Sequence, residues 1–504
     1  MELLNNLSVG LTAALSLTNV AYCFLGVLIG TLVGVLPGLG PVATLALLLP
    51  ITYSLDPTAA VIMLAGIYYG SQYGGSTTAI LMNIPGEASA LVTCIDGNKL
   101  ARKGRAGSAL GVAAVASFIA GTAATLLIAV AAPYLADVAL LFGATEYFSL
   151  MVLGLVGAVV LSNGDILKAM AMVITGLLLG LVGTDIQSGE LRFTLDTLTL
   201  QDGIDFAVIS MGFYGVAEIL KNLQAMRVSS EATCARIDSP WPSAKDIKRS
   251  TPAIARGTVL GSLLGLLPGG GALLSAFAAY SVEKRLKMKG TEEVPVGEGN
   301  LRAVAAPEAA NNAGAQTSFI PMLTLGIPSN AVMALLMGAL IIQNITPGPQ
   351  VIDTNPDLFW GLIVSMWVGN FFLVILNLPL AGLWVQMLRI PYRWMFPMIL
   401  AVCSIGVYSI NYNVYDLVTM VAFAVLGYVF YHLRAEPAPL ILGFVLGPMM
   451  EENLRRAMLL ARGDATVFFT SPISCALLVA ALLLLLSTLL PAIKSARTDA
   501  FVED

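Results

Sequence analysis

The sequence predicts an all-α polytopic membrane protein made of two inverted-topology repeats. Each repeat is expected to hold a re-entrant hairpin and a broken transmembrane helix, with about 11–12 spans in all. Three observations lead there. The 504 residues are 57% apolar and only 11% charged, with mean hydropathy +0.84, where a soluble chain carries about 25% charge. Apolar stretches are interrupted by Pro-Gly breaks that recur in order. The basic residues sit in a few loops that alternate along the chain.

Composition excludes several classes. Net charge is −5 with no basic stripe, which argues against nucleic-acid binding. The five cysteines (Cys23, Cys94, Cys234, Cys403, Cys475) form no C-x-x-C pair, and the single histidine, His432, cannot build a His-based metal centre or triad. Met1–Gly10 lacks a positive n-region and is not expected to be a cleaved signal peptide.

Crossings need about 20 mostly apolar residues. In chain order, the uninterrupted candidates are Ala109–Pro133, Val138–Leu161, Leu167–Gly183, Leu358–Leu380, Met395–Ile410, Leu417–Tyr431 and Cys475–Leu490. Ile204–Leu220 and Pro439–Met450 are amphiphilic at one end. Four other apolar stretches are broken: 19–54 by Pro37–Pro41, 58–98 by Asn83–Gly86, 252–283 by Pro268–Gly271 and 306–345 by Gly326–Ser329. Proline and glycine end helices, and irregular backbone at membrane depth is tolerated only inside protein or beside water. The hydrophilic run Gln224–Arg256 divides the chain. The expected organisation is a first repeat over 1–223, a cytoplasmic linker over 224–251, a second repeat over 252–456, and a C-terminal helix and tail over 457–504.

The halves echo each other. Gly34-Val35-Leu36-Pro37-Gly38-Leu39-Gly40 matches Gly265-Leu266-Leu267-Pro268-Gly269-Gly270-Gly271. Ile84-Pro85-Gly86 matches Ile327-Pro328-Ser329, and Gly212 to Leu220 loosely matches Gly443 to Leu454. The offsets are 231, 243 and 231 residues. The positive-inside rule puts Lys99, Arg102, Lys103 and Arg105 in the cytoplasm, while the counterpart loop Thr346–Asp357 has no Lys or Arg. Lys284, Arg285, Lys287 and Lys289 are cytoplasmic by the same rule, while Thr52–Pro57 has no basic residue. Equivalent loops therefore fall on opposite sides, as in inverted repeats. Both ends of 252–283 are basic, so this stretch is expected to return to its own side, with 19–54 as its mirror. Arg455, Arg456 and Arg462 fall on the periplasmic side in this count and suggest a short interfacial segment.

The run Tyr68-Tyr69-Gly70 through Tyr73-Gly74-Gly75-Ser76-Thr77-Thr78-Ala79-Ile80-Leu81-Met82-Asn83-Ile84-Pro85-Gly86-Glu87 resembles the large integral subunit of the tripartite tricarboxylate transporter (TctA) family. So do Asp96-Gly97, Ala101 to Gly107, Ala306-Pro307-Glu308-Ala309-Ala310-Asn311-Asn312-Ala313 and Leu323 to Pro328. The resemblance spans nearly the whole chain. It departs from the family's usual pattern at Ser71-Gln72, Gln316-Thr317-Ser318 and Ser329-Asn330, which bears on the substrate. The resemblance implies a multi-pass carrier of the bacterial inner membrane that imports organic anions such as tri- or dicarboxylates. It implies no cofactor, a coupling cation (Na+ or H+), a small integral membrane subunit and a periplasmic solute-binding protein. A homodimer is compatible with it. No P-loop is present, so ATP is not expected to drive this subunit directly.

An anion held within the bilayer needs donors that cost little to bury. Helix N-termini supply free N–H groups and about half a positive charge. Gly38, Gly40, Gly269, Gly270 and Gly271 would let a ligand approach such backbone. Thr44, Ser76, Thr77, Thr78, Asn311, Asn312, Thr317, Ser318, Ser329 and Asn330 are candidate side-chain donors. Gly74, Gly75, Asn83, Pro85 and Pro328 complete the candidate set. The same oxygens suit sodium, although no ligand set is specified. Against this, a Ser or Thr in a membrane helix usually bonds its own backbone or a neighbouring helix. Glu87 and Glu308 are coupling or gating candidates. Glu87 is better placed to cap the helix after its break, and Glu308, six residues from Arg302, is expected toward the cytoplasmic surface. Asp185 and Asp416 are weaker acidic candidates, and His432 beside Arg434 reads as interfacial. An intramembrane enzyme lacks any supporting motif such as H-E-x-x-H. A channel does not explain two mirrored hairpins.

Overall fold

The computed structural model describes residues 2–36, 40–83, 85–162, 165–185, 188–225, 241–267, 271–286, 294–387 and 392–487. Apolar helices dominate it. Four of them (Leu17–Val35, Ala88–Ala139, Pro356–Asn377 and Val414–His432) are long and apolar enough to cross a bilayer. Shorter apolar helices include Pro41–Thr52, Ile166–Gly180, Ala331–Ile342 and Pro472–Ser487. The only strand pairing among the described residues joins Gly183–Thr184 to Leu191–Arg192.

The broken stretches 19–54 and 252–283 each fold as two helices. Leu17–Val35 and Pro41–Thr52 form a first pair, and Ala244–Leu264 and Gly271–Arg285 a second. Ala244 lies inside the stretch read as a linker, because Ser243 accepts a hydrogen bond from Asp246 N and starts the helix early. A first run holds Pro57–Met82, a short 3-10 turn Ala88–Ala90 and Leu91–Leu100. A second run holds Arg302–Thr317, Phe319–Leu325 and Ala331–Ile342.

Glycine sets how each pair meets its run. A Cβ on Gly26, Gly30 or Gly34 would collide with the carbonyl oxygens of Met63, Ile67 and Ser71. On Gly257, Gly261 or Gly265 it would collide with those of Ala306, Ala310 and Gly314. Small residues every fourth position let helix backbones touch. The two glycine rows lie 231 residues apart and their partners 243 apart, the offsets of the sequence matches. In both places the paired helices run parallel.

The breaks correspond as well. Asn83 (φ 59°) ends Pro57–Met82 and Gly326 (φ 66°) ends Phe319–Leu325, both left-handed. The chain then doubles back beside the helix it has left. Gly86 N donates to Gly75 O at 3.4 Å, and Ser329 Oγ donates to Ser318 O at 3.4 Å. Ser89 Oγ reaches Gln72 Oε1 (2.9 Å) and Asn98 Nδ2 reaches Ile80 O (3.1 Å). Leu91–Leu100 thus lies alongside the end of Pro57–Met82, running the same way. The first helix is 26 residues long, about 39 Å at 1.5 Å per residue. It exceeds the bilayer core by itself, so the break serves to bring a second helix start back inside.

Basic groups collect at one end. Lys99 Nζ donates to Gly297 O (2.5 Å), Lys103 Nζ to Glu298 O (2.6 Å), and Arg105 pairs with Asp246 (2.8 Å). Arg256 and Arg302 share Glu283 at 2.7 and 2.5 Å. Asp96, fully buried, accepts from Tyr280 Oη (3.0 Å) and from the amides of Gly297, Gly299 and Asn300. The end of the first run thereby meets the start of the second. Conversely, Gln343 Nε2, after the last helix of the second run, donates to Thr52 O (2.6 Å) just before the first run starts. Arg455 lies on the continuous helix Pro437–Leu460, where it pairs with Asp185 (2.8 Å) and Glu451 (2.6 Å). Arg192 also binds Glu451 (2.8 Å), so the short strand pairing is tied to this helix end.

Candidate functional site

Four helix starts meet at one cavity of about 300 Å³. Pro41–Thr52 begins after Gly40, the Ala88–Ala90 turn leading into Leu91–Leu100 begins after Glu87, Gly271–Arg285 begins at Gly271, and Ala331–Ile342 begins after Asn330. The lining comes in equivalent pairs. Gly40, Pro41 and Val42 stand 231 residues from Gly271, Ala272 and Leu273, while Glu87, Ala88 and Ser89 stand 243 residues from Asn330, Ala331 and Val332. First-turn amides have no partner within their own helix, so this arrangement aims several N–H groups and dipole ends at one volume.

Gly40 is open. A Cβ there meets nothing within 4 Å. Gly271 has φ +47°, and a Cβ would meet Asn330 Nδ2 at 2.7 Å. Asn330 Oδ1 accepts from Met333 N (3.1 Å) and caps its helix, leaving Nδ2 against Ser318 Oγ (3.4 Å). Glu87 is buried, but its carboxylate makes no capping bond to the turn it precedes. It stands at the N-cap position and accepts from Ser89 Oγ instead. Glu436 also reaches the cavity, accepting from Ser162 Oγ at 3.1 Å. Both residues escaped the sequence reading because they come from distant segments with no motif spacing to join them.

The other candidates divide. Gly38, Gly269 and Gly270 lie outside the described residues. Gly74 faces the backbone of Thr31 and Val35, and Gly75 faces Glu87, so both serve close packing. Thr44, Thr78 and Thr317 donate to the carbonyls of Gly40, Gly75 and Ala313. Ser318 donates to Gly314 O (2.7 Å) and Gly265 O (3.2 Å). Asn83 is exposed, and Pro85 and buried Pro328 lie outside the cavity lining. Asp416 accepts from Asn411 Nδ2 (3.0 Å), and His432 is exposed.

A second, smaller group surrounds Glu308. This residue is fully buried. Its carboxylate accepts from Ser76 Oγ (2.5 Å), Thr93 Oγ1 (2.5 Å) and Asn311 Nδ2 (3.4 Å). Asn312 Nδ2 bonds Ser117 Oγ (2.8 Å) and Asn311 Oδ1 (2.7 Å). Ser76, Thr77 and Glu308 line a cavity of about 10 Å³ with Tyr73, Ser117 and Asn377.

The chain is a multi-pass helical membrane protein whose helix starts converge on one cavity, an arrangement characteristic of transporters. The chain is a member of the tripartite tricarboxylate transporter TctA family, which it matches over residues 20–442. It is 56% identical, over all 504 residues and the whole of both chains, to an uncharacterized 52.8 kDa protein in the TAR-I ttuC' 3' region of Agrobacterium vitis. It is 59% identical over 244 residues (48% of this chain, all of the other) to an uncharacterized protein in the TAR-II ttuC' 3' region of the same organism. No solved structure matches it. Membership makes the chain a permease subunit of a tripartite transporter, which implies a small membrane subunit and a periplasmic binding protein as partners.

Proposed function

We propose that the chain is the large subunit of a secondary, cation-coupled importer of organic anions of the di- or tricarboxylate class. It works as a symporter in the bacterial inner membrane, receives substrate from the periplasmic binding protein, and moves it by alternating access between two inverted repeats. The observation that carries this reading is the convergence of four helix starts on one cavity of about 300 Å³, at the lower end of small-molecule pockets. Broken helices that point N-termini at anionic groups are the device of secondary transporters. The reciprocal contacts of the two runs, Gly297 to Asn300 on Asp96 at one end and Gln343 on Thr52 at the other, support the inverted arrangement. The parallel glycine rows support hairpins that return to their own side.

The test is uptake by proteoliposomes carrying this chain, the small subunit and the binding protein. Labelled citrate, succinate and an aromatic acid are offered with and without an imposed cation gradient. At least one carboxylate should accumulate above equilibrium only with the gradient. Flux that no cation gradient changes would overturn the coupled-carrier reading.

A further inference from the structure

We propose that the pocket beside Glu308 binds the coupling cation, a dehydrated sodium ion held by Glu308, Ser76, Asn377 and Tyr73. The inference rests on the carrier reading above and assigns its ion site.

Four observations converge. Glu308 and Ser76 are 0% and 4% exposed, and both line the small cavity. Among the described residues Glu308 has no Lys or Arg within ion-pair distance, and a buried carboxylate is costly unless a positive charge compensates it. Both of its oxygens accept hydroxyl hydrogen bonds, from Ser76 and Thr93, as an ionised carboxylate does. Two further oxygens in the lining have no hydrogen-bond partner: Tyr73 Oη and Asn377 Oδ1, on side chains 3% and 7% exposed. Asn377 Nδ2 is spent on Leu373 O (2.9 Å), which leaves the amide oxygen for the cavity.

Chemistry and size then choose the ligand. One carboxylate among neutral oxygens balances a single positive charge. Hard cations take oxygen ligands. A volume of about 10 Å³ admits about one water-sized body, which suits a bare Na+ and excludes a hydrated ion or an organic anion. The site spans both runs, since Tyr73 and Ser76 lie on Pro57–Met82 and Glu308 on Arg302–Thr317. Ion binding therefore bears on how the halves pack, and the large cavity is lined by the same two runs.

The experiment is direct binding of 22Na+ to the purified chain in detergent, with Li+ and K+ as competitors and thermal melting in parallel. The wild type should bind Na+ saturably, with Li+ competing and K+ failing. Glu308→Gln keeps the shape, removes the charge and turns one acceptor oxygen into an N–H donor, and should weaken Na+ binding at least tenfold while remaining monodisperse. Tyr73→Phe removes one oxygen and should weaken binding several-fold, so it serves if Glu308→Gln fails to fold. Saturable binding equal to wild type in both variants, or no Na+ binding by the wild type, overturns the proposal. Gradient-driven carboxylate uptake that persists in those cases leaves the carrier reading standing, so the two failures are distinguishable.

Discussion

The two broken runs have the same frame and different centres. Asn83 and Gly326 end their long helices alike, and Gly30 and Gly261 bring their paired helices to backbone contact alike. At the cavity, however, Glu87 stands where the second run has Asn330, and at the small pocket Glu308 stands where the first has Ala65. Positions that set helix approach are matched because a methyl group there meets a carbonyl. Positions that face open volume have diverged, and each carboxylate has a neutral residue as its counterpart in the other run. The matched positions supply the geometry, and the differing ones supply the chemistry.

The frame should break hardest. Gly30→Leu and Gly261→Leu each force a side chain into a neighbouring carbonyl that has no room to yield. We expect losses of about 3 kcal/mol and little monodisperse protein from either, by size-exclusion yield in detergent. If one folds and the other does not, the two contacts are not equivalent.

The cavity should respond next, and unequally. Gly271→Leu should insert in the membrane and lose uptake, because its side chain enters the space of Asn330 at an already left-handed φ. Gly40→Ala adds a methyl group in open space at φ −79° and should keep the fold and most uptake. Normal transport by Gly271→Leu would mean that this helix start does not approach the ligand.

Charge is the third lever. Asn330→Asp preserves the helix cap, since Asp caps as well as Asn, but puts a second carboxylate opposite Glu87. Unit charges about 4 Å apart interact by about 4 kcal/mol at an effective dielectric of 20. A rise in KM of at least tenfold for the anion is therefore expected, with expression unchanged. An unaltered KM would place the anion away from Asn330.

Much of the frame was legible in the sequence, because hydropathy, Pro-Gly breaks and the 231- and 243-residue offsets report where helices start and stop. The path between them was less legible. Hydropathy registers that 58–98 is apolar, but not that Asn83 reverses the chain until Gly86 meets Gly75. Gly74 joined the ligand candidates although its spacing with Gly66 and Gly70 already carried the packing signal. Thr44, Thr78 and Thr317 look identical in sequence to Ser76, yet each of them donates to its own helix while Ser76 also reaches Glu308. Arg302 and Glu308 lie six residues apart, about 9 Å along a helix, and spacing alone does not tell that Arg302 pairs with Glu283 while Glu308 takes hydroxyl groups from another run.

The smallest effect concerns the tie between the halves at the basic end, where Arg105 meets Asp246 at 2.8 Å. Burial alone raises the Asp246 pKa, but hydrogen bonds from Ser243 and the charge of Arg105 outweigh it and hold the carboxyl below its ordinary value. A depressed native pKa contributes stability that is present above the unfolded value, about 3.9, and is lost as pH falls through the lowered native one. Arg105 is 47% exposed, so solvent screens the pair and its worth is under about 1 kcal/mol. Arg105→Gln should therefore lower the melting point slightly at neutral pH. The gap to wild type should shrink in high salt and close as pH drops below about 4. A gap that ignores both salt and pH would show that Arg105 acts through the packing of its stem, and the tie between the halves would then rest on Asp96 and the loop amides it holds.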